Sequence, residues 1–234
     1  MILPRFRCAL SLALCASCLV QTQAAGRIVS FRADDGRTIN GLLVEANTRP
    51  APAVVLVPML GRPKDDWDAT AQRLAEANVT ALAIDLPGEY APADPRELAS
   101  WSRDVTAAVA YLFSRPDVRG GSIGIAGASL GANLAAVAAA GDSQVRSLAL
   151  ISPSLDYRGV RIEAAMRQFG ARPALLMGSL RDPYAARSIR ALADGAPGQR
   201  ELRWSETPAH GTILLSREPD LSRVLVEWFQ RTLG

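Results

Sequence analysis

The chain has 234 residues, 49% of them hydrophobic and 21% charged, which suits one domain with a full core and argues against disorder or a fibrous repeat. The formal charge is only +3, and two of the arginines, Arg5 and Arg7, fall in a segment expected to be removed. With no basic block in the remainder, an electrostatic nucleic-acid partner is disfavoured.

The N-terminus has the layout of a secretory signal. Arg5 and Arg7 open it, Cys8 to Val20 is an apolar run too short to span a bilayer comfortably, and Gln21 to Gly26 is small and polar. Thr22-Gln23-Ala24 offers a cleavage site before Ala25. The expectation is a leader over residues 1–24 and an exported domain over 25–234, periplasmic or secreted, with no transmembrane span in the mature chain. An uncleaved N-terminal anchor is the alternative. All three cysteines, Cys8, Cys15 and Cys18, lie in the leader, so the domain is expected to hold no disulfide and no cysteine metal site. Cys15-Ala16-Ser17-Cys18 also approaches a lipoprotein box with Cys18 as the lipidated residue, although Cys15 stands where leucine is usual.

Beyond the leader, short apolar runs alternate with amphipathic ones, which predicts βα units around a mostly parallel sheet in a single domain. Arg27 to Arg32 and Thr38 to Glu45 read as strands joined by a turn at Asp34-Asp35-Gly36. Ala53 to Val57 is a strand buried on both faces, and Asp65 to Asn78 a helix. Thr80 to Asp85 is a strand, and Pro95 to Ser114 one long helix, ended by Pro116 and Gly120-Gly121. Ser122 to Ala126 is a short strand followed by an alanine-rich helix over Leu130 to Ala140. Val145 to Ile151 is a strand. Ser152 to Arg172 is irregular, with a short helix near Ile162 to Phe169. Pro173 to Met177 is a strand, Tyr184 to Ala193 a helix, Glu201 to Ser205 the last strand, and Arg217 to Thr232 the closing helix.

The chemistry-bearing residues sit between these elements. Gly127-Ala128-Ser129-Leu130-Gly131 fits G-x-S-x-G and falls between a predicted strand and a predicted helix, the setting of a strained turn that presents a serine nucleophile. An ordinary glycine-rich turn is the plainer reading. His210 is the only histidine, so it must be the base of any Ser-His machinery. It follows the last predicted strand in Thr207-Pro208-Ala209-His210-Gly211. Asp182, in Arg181-Asp182-Pro183 after the strand ending at Met177, is the candidate third member, and it could also be a plain helix cap. Asp156 competes for the role, while Asp142 lies too near the nucleophile's helix.

The chain from about Arg27 to Gly234 resembles an α/β-hydrolase of minimal size, near dienelactone hydrolases and small bacterial esterases, through the order Ser129, Asp182, His210. The resemblance implies an eight-stranded, mostly parallel sheet with helices on both faces, no large cap, and a site at the strands' carboxyl ends. Such enzymes commonly carry His-Gly after the third strand; here the stretch is Val57-Pro58-Met59-Leu60-Gly61. Pro58 has no N–H to donate, and the motif position makes Leu60 N–H one oxyanion donor and Leu130 N–H the other.

The expected chemistry is hydrolysis of a small-molecule carboxylic ester through an acyl-enzyme on Ser129, with no metal and no cofactor. Met59, Tyr90, Leu155 and Tyr157 are candidate pocket residues, each of which could equally be core. The short connection from Ser152 to Arg172 points to an open site and a small or exposed acyl group. A peptidase or an acyltransferase would use the same three residues, and a catalytically silent binding protein could share the fold. The oligomeric state is not specified by the sequence.

Overall fold

A computed structural model describes residues 26–234 except 196 and 199. The expected leader and its cysteines, Cys18 included, lie outside the described residues. Eight strands form one sheet: β1 (Arg27–Arg32), β2 (Thr38–Val44), β3 (Ala51–Val57), β4 (Thr80–Ile84), β5 (Val118–Ala128), β6 (Val145–Ile151), β9 (Ala174–Ser179) and β10 (Arg200–Ser205), in the order β1-β2-β4-β3-β5-β6-β9-β10. The pairings β1–β2 and β2–β4 are antiparallel, and every pairing from β4 to β10 is parallel. The eight-stranded, mostly parallel sheet is thus the expected one. The chain passes outward from β3 to β4 and then returns to place β5 on the other side of β3. Their carboxyl ends flank a topological switch point, where open α/β sheets bind ligands.

Alternation along the strands explains the helices on both faces. Val55 and Val57 of β3, Ile123 and Ile125 of β5, and Leu148 and Leu150 of β6 share one core with α2 (Pro95–Ser100), α3 (Ser102–Phe113), α4 (Leu130–Gly141), α5 (Glu163–Phe169) and α6 (Pro183–Asp194). Val54 and Leu56, Ala126 and Ala128, and Ala149 and Ile151 face the second core, formed with α1 (Asp68–Glu76), α7 (Thr212–Arg217) and α8 (Pro219–Leu233). Successive strand residues point to opposite faces, so β3 must be apolar throughout, and all seven of its residues are buried.

Several expected boundaries differ, each for a local reason. The long helix over 95–114 is two helices, because the ladder tightens at Trp101, whose N–H donates to Leu98 O at 3.2 Å while its ring stays in the core. Gly120 and Gly121 do not end a helix; they lie inside β5, where the register against β3 jumps and Gly121 takes φ +72°, as at a bulge. The helix over 65–78 opens as a 3₁₀ turn, Lys64–Trp67, before α1. The closing helix starts at Pro219, since a residue before proline avoids helical backbone, and Glu218 at φ −123°, ψ 83° separates it from α7, which the sequence reading missed. The irregular stretch after β6 contains a hairpin of β7 (Asp156–Tyr157) and β8 (Val160–Arg161), turned by Arg158 and Gly159, both at positive φ. Among the described residues no helix is long and apolar enough to cross a membrane.

One buried charge gives the fold a pH dependence. Asp104 on α3 is 3% exposed and meets the Arg37 guanidinium from the β1–β2 hairpin at 3.1 Å. Burial raises its carboxyl to about 6, against the attraction of Arg37 and aided by repulsion from Asp35 and Asp34. Because the folded value lies above the unfolded one, the folded state holds the extra proton between about pH 4 and pH 6, and the stability that proton confers is lost as pH rises through about 6. Urea unfolding of wild type and Asp104→Asn across this range is expected to show the wild type losing on the order of 2 kcal/mol relative to the variant between pH 4 and pH 7. A pH-independent difference would refute the assignment.

Candidate active site

Ser129 stands between β5 and α4 at φ 54°, ψ −122°, a conformation that costs a non-glycine residue about 1–3 kcal/mol. The turn is enforced by its neighbours. Ser129 N–H donates to Ile151 O at 2.9 Å, and Ser129 O accepts from Ala132 N–H at 2.9 Å to start α4. The motif glycines answer to space: a Cβ on Gly127 would lie 2.2 Å from Gly131 O, and one on Gly131 would lie 2.3 Å from Pro58 O. The helix start therefore rests directly against the loop that follows β3. Ser129 itself remains half-buried and accessible.

Across the carboxyl end of the sheet the other two residues converge on it. His210 Nε2 lies 2.8 Å from Ser129 Oγ, and His210 Nδ1 lies 2.5 Å from Asp182 Oδ2. With the proton on Nδ1, the ring donates to the carboxylate and accepts from the hydroxyl, so one neutral tautomer satisfies both contacts. Asp182 serves two purposes: its Oδ1 accepts Ala185 N–H at 3.1 Å and caps α6, with Pro183 in the first turn, while Oδ2 faces the imidazole. The residue thus caps α6 and contacts His210 at once.

The loop bearing His210 is pinned on several sides. Ser179 Oγ, at the end of β9, donates to Thr207 O at 2.6 Å and accepts Arg181 N–H at 3.0 Å, tying the histidine loop to the aspartate loop. Thr207 and Ser205 hydroxyls both donate to the Glu218 carboxylate, and these bonds, Thr207's first, hold Glu218 below the usual carboxylate range. Gly211 has φ +57°, and a Cβ there would lie 2.1 Å from Met59 Sδ, so any other residue after His210 would be strained and would have to displace Met59. Thr212 Oγ1 donates to Asp66 Oδ2 at 2.9 Å, and Asp66 also takes the Arg62 guanidinium at 2.7 Å.

A model of the alpha/beta hydrolase family matches residues 54–233. The chain belongs to the alpha/beta hydrolase family. Among solved structures, a dienelactone hydrolase from Anabaena variabilis is similar at 20% identity, covering 91% of this chain and 100% of its own with a TM-score of 0.77. The esterase domain of a Rhodothermus marinus protein is similar at 17% identity, with coverage of 90% and 100% and a TM-score of 0.72. An esterase from Pyrococcus furiosus follows at 14% identity, with coverage of 90% and 93% and a TM-score of 0.71. At such identities the likeness is one of fold. No curated protein matches the sequence.

In this alpha/beta hydrolase the remaining candidates fall in different places. Leu130 opens α4, so its N–H has no acceptor within the helix, and Leu60 N–H, in the adjoining loop, donates to no backbone group among the described residues. Asp156 is not the acid: Arg161 and then Gly159 N–H occupy its oxygens, at 2.8 and 2.6 Å, and hold it below the usual range. Met59 lies mostly out of solvent. It is 7% exposed and forms the floor under Gly211 within the second core. Tyr90 is 83% exposed on the loop after β4, whereas Leu155 and Tyr157 pack half-buried against the first core. A cavity of about 460 Å³ opens between Gly61, Arg62 and Pro63 and the loop from Asp85 to Glu89, lined by none of the four expected pocket residues and by none of Ser129, Asp182 and His210. Among the described residues no cluster of three metal-ligating side chains occurs. Sequence reasoning also missed Asn133. It is fully buried, donates to Ser154 O at 2.9 Å and Val160 O at 2.8 Å, and fastens the β7–β8 hairpin to α4.

The close approach behind Ser129 can be tested without reference to activity. Gly131→Ala must displace backbone of the β3 loop and is expected to lose roughly 1–3 kcal/mol or more, as overpacked sites do. Gly141→Ala, at the other end of the same helix with nothing within 4 Å, is expected to keep or raise stability by up to about 1 kcal/mol. Equal melting temperatures for the two variants would contradict the packing described.

Proposed function

We propose that this protein is an exported serine hydrolase that cleaves carboxylic esters through an acyl-enzyme on Ser129. The observation that carries the reading is the continuous contact from Ser129 Oγ through His210 to Asp182, at 2.8 and 2.5 Å, on an accessible strand-to-helix turn. His210 takes the Ser129 proton as the oxygen attacks the ester carbonyl. The ring then returns that proton to the departing alcohol, and a water molecule activated by the same ring releases the acid. Asp182 holds the imidazole in the required tautomer and stabilises the positive charge that develops on it. Leu60 and Leu130 N–H groups stabilise the oxyanion, each worth roughly 3 kcal/mol in the transition state. The fold likeness to a dienelactone hydrolase and to two esterases supports an ester as substrate. Export rests on the leader pattern in residues 1–24.

A small or exposed acyl group is proposed because the connection after β6 holds only the β7–β8 hairpin and the seven-residue α5, with no multi-helix lid over Ser129. Hydrolysis of p-nitrophenyl esters is expected to be fastest for short chains; a preference beyond about twelve carbons would require an enclosed acyl tunnel and would overturn this part.

Labelling with a fluorophosphonate, followed by peptide mapping, is expected to modify Ser129 alone, and His210→Ala should abolish it. Ser129→Ala and His210→Ala are each expected to lower kcat by roughly 10⁴–10⁶-fold, and Asp182→Asn by roughly 10⁴-fold with the fold intact. Unimpaired ester hydrolysis by Ser129→Ala would remove the proposal.

A further inference from the structure

Among the described residues, four other than glycine adopt positive φ: Asn78, Ser129, Ser152 and Arg158. Two of them, Ser129 at 54° and Ser152 at 52°, directly follow the neighbouring parallel strands β5 and β6. Strain of this kind survives only where the surroundings impose it, and it gathers at functional sites. Arg158 is explained by the hairpin turn. Ser152 occupies no turn of that kind and no sequence motif, and it is 2% exposed.

Its contacts point to a task. Ser152 N–H donates to Met177 O at 2.8 Å, continuing the β6–β9 ladder by one residue. Its hydroxyl oxygen accepts the N–H of Gly211 at 3.0 Å in a buried setting. Gly211 follows His210, and the preceding residue on β6, Ile151, accepts the N–H of Ser129. One strand end therefore holds both partners: Ile151 O fixes the backbone of the hydroxyl donor, and Ser152 Oγ fixes the backbone beside the imidazole. Met59 packs against the Cα of Gly211, so the loop meets both a sulfur and a hydroxyl there.

We propose that Ser152 is a positioning residue for proton transfer between Ser129 and His210, its hydroxyl fastening Gly211 to the strand end that also carries Ser129. The inference rests on the reading of Ser129 and His210 given above. Without the hydroxyl, the buried Gly211 N–H loses its acceptor, and the cost of an unpaired buried donor drives the loop toward water. The imidazole moves with it, and a displacement near 1 Å in such an arrangement can cost roughly 10²-fold in rate.

Two variants separate positioning from folding. Ser152→Gly removes the hydroxyl and adopts positive φ without strain, whereas Ser152→Ala removes the hydroxyl and keeps the strain. Both are expected to lower kcat for p-nitrophenyl acetate by roughly 10- to 100-fold, with KM within about twofold of wild type. Fluorophosphonate labelling of Ser129 should slow in parallel. The Asp182-bound Nδ1 proton of His210, free of overlap because the chain has one histidine, should broaden or shift in the proton NMR spectrum of folded Ser152→Gly. Wild-type kcat and an unchanged Nδ1 signal in Ser152→Gly would overturn the inference while leaving Ser129 labelling intact. Loss of activity in Ser152→Ala alone would also overturn it, by showing that only folding was affected. Absence of labelling in the wild type would instead strike the reading of Ser129 and His210 itself.

Discussion

The structure depends on one steric constraint: at the junction of β5 and α4 three backbones approach too closely for side chains. Gly127 abuts Gly131 O, and Gly131 abuts the carbonyls of Val57 and Pro58. The chain can reverse from strand to helix there only with Ser129 in a left-handed conformation, and the reversal brings the β3 loop against the first turn of α4. Candidate nucleophile, candidate oxyanion donors and switch-point crevice thus follow from a single packing event. The strain at Ser129 is offset by a helix whose other residues are almost wholly buried.

Around this rigid centre, polar side chains do most of the aiming. The three loops meeting at the site come from β5, β9 and β10; the first is held by the backbone bond from Ser129 N–H to Ile151 O, and the other two are tied by hydroxyls and carboxylates. Ser179 joins the aspartate loop to the histidine loop. Glu218 reaches back from the start of α8 to hold Thr207. Asp66 links the segment after β3 to Thr212. These anchors are buried or half-buried, where hydrogen bonds are stronger than in water and costly to leave unmade. His210 can therefore remain exposed for access and still be held in one orientation.

Much of this was legible in advance. The alternation of runs announced a parallel sheet, and Val145–Ile151 matched its observed limits, its apolar run from Leu148 to Ile151 being buried throughout while Arg146 near its start is exposed. Ser129 and His210 could be named because a glycine-flanked serine and a solitary histidine leave few rivals. The sequence favours Asp182 over Asp156 because Pro183 suits the first turn of the helix that follows it, although both aspartates follow strands. In the structure His210 contacts Asp182, whereas Asp156 pairs with Arg161 across the β7–β8 hairpin.

Pattern along the chain thus determined which residues could be strands, helices and reacting groups, because periodicity and residue chemistry are local properties. The tertiary structure decided what those groups touch. Ser152, Asn133 and Met59 carry no local signal: a serine after a strand, an asparagine in an alanine-rich helix and a methionine in a loop are ordinary residues. Ser152 and Met59 bear on Gly211, and Asn133 on Ser154 and Val160, only when loops separated by dozens of residues are brought together. That meeting is set by strand order, a non-local choice made by burying both sheet faces at once.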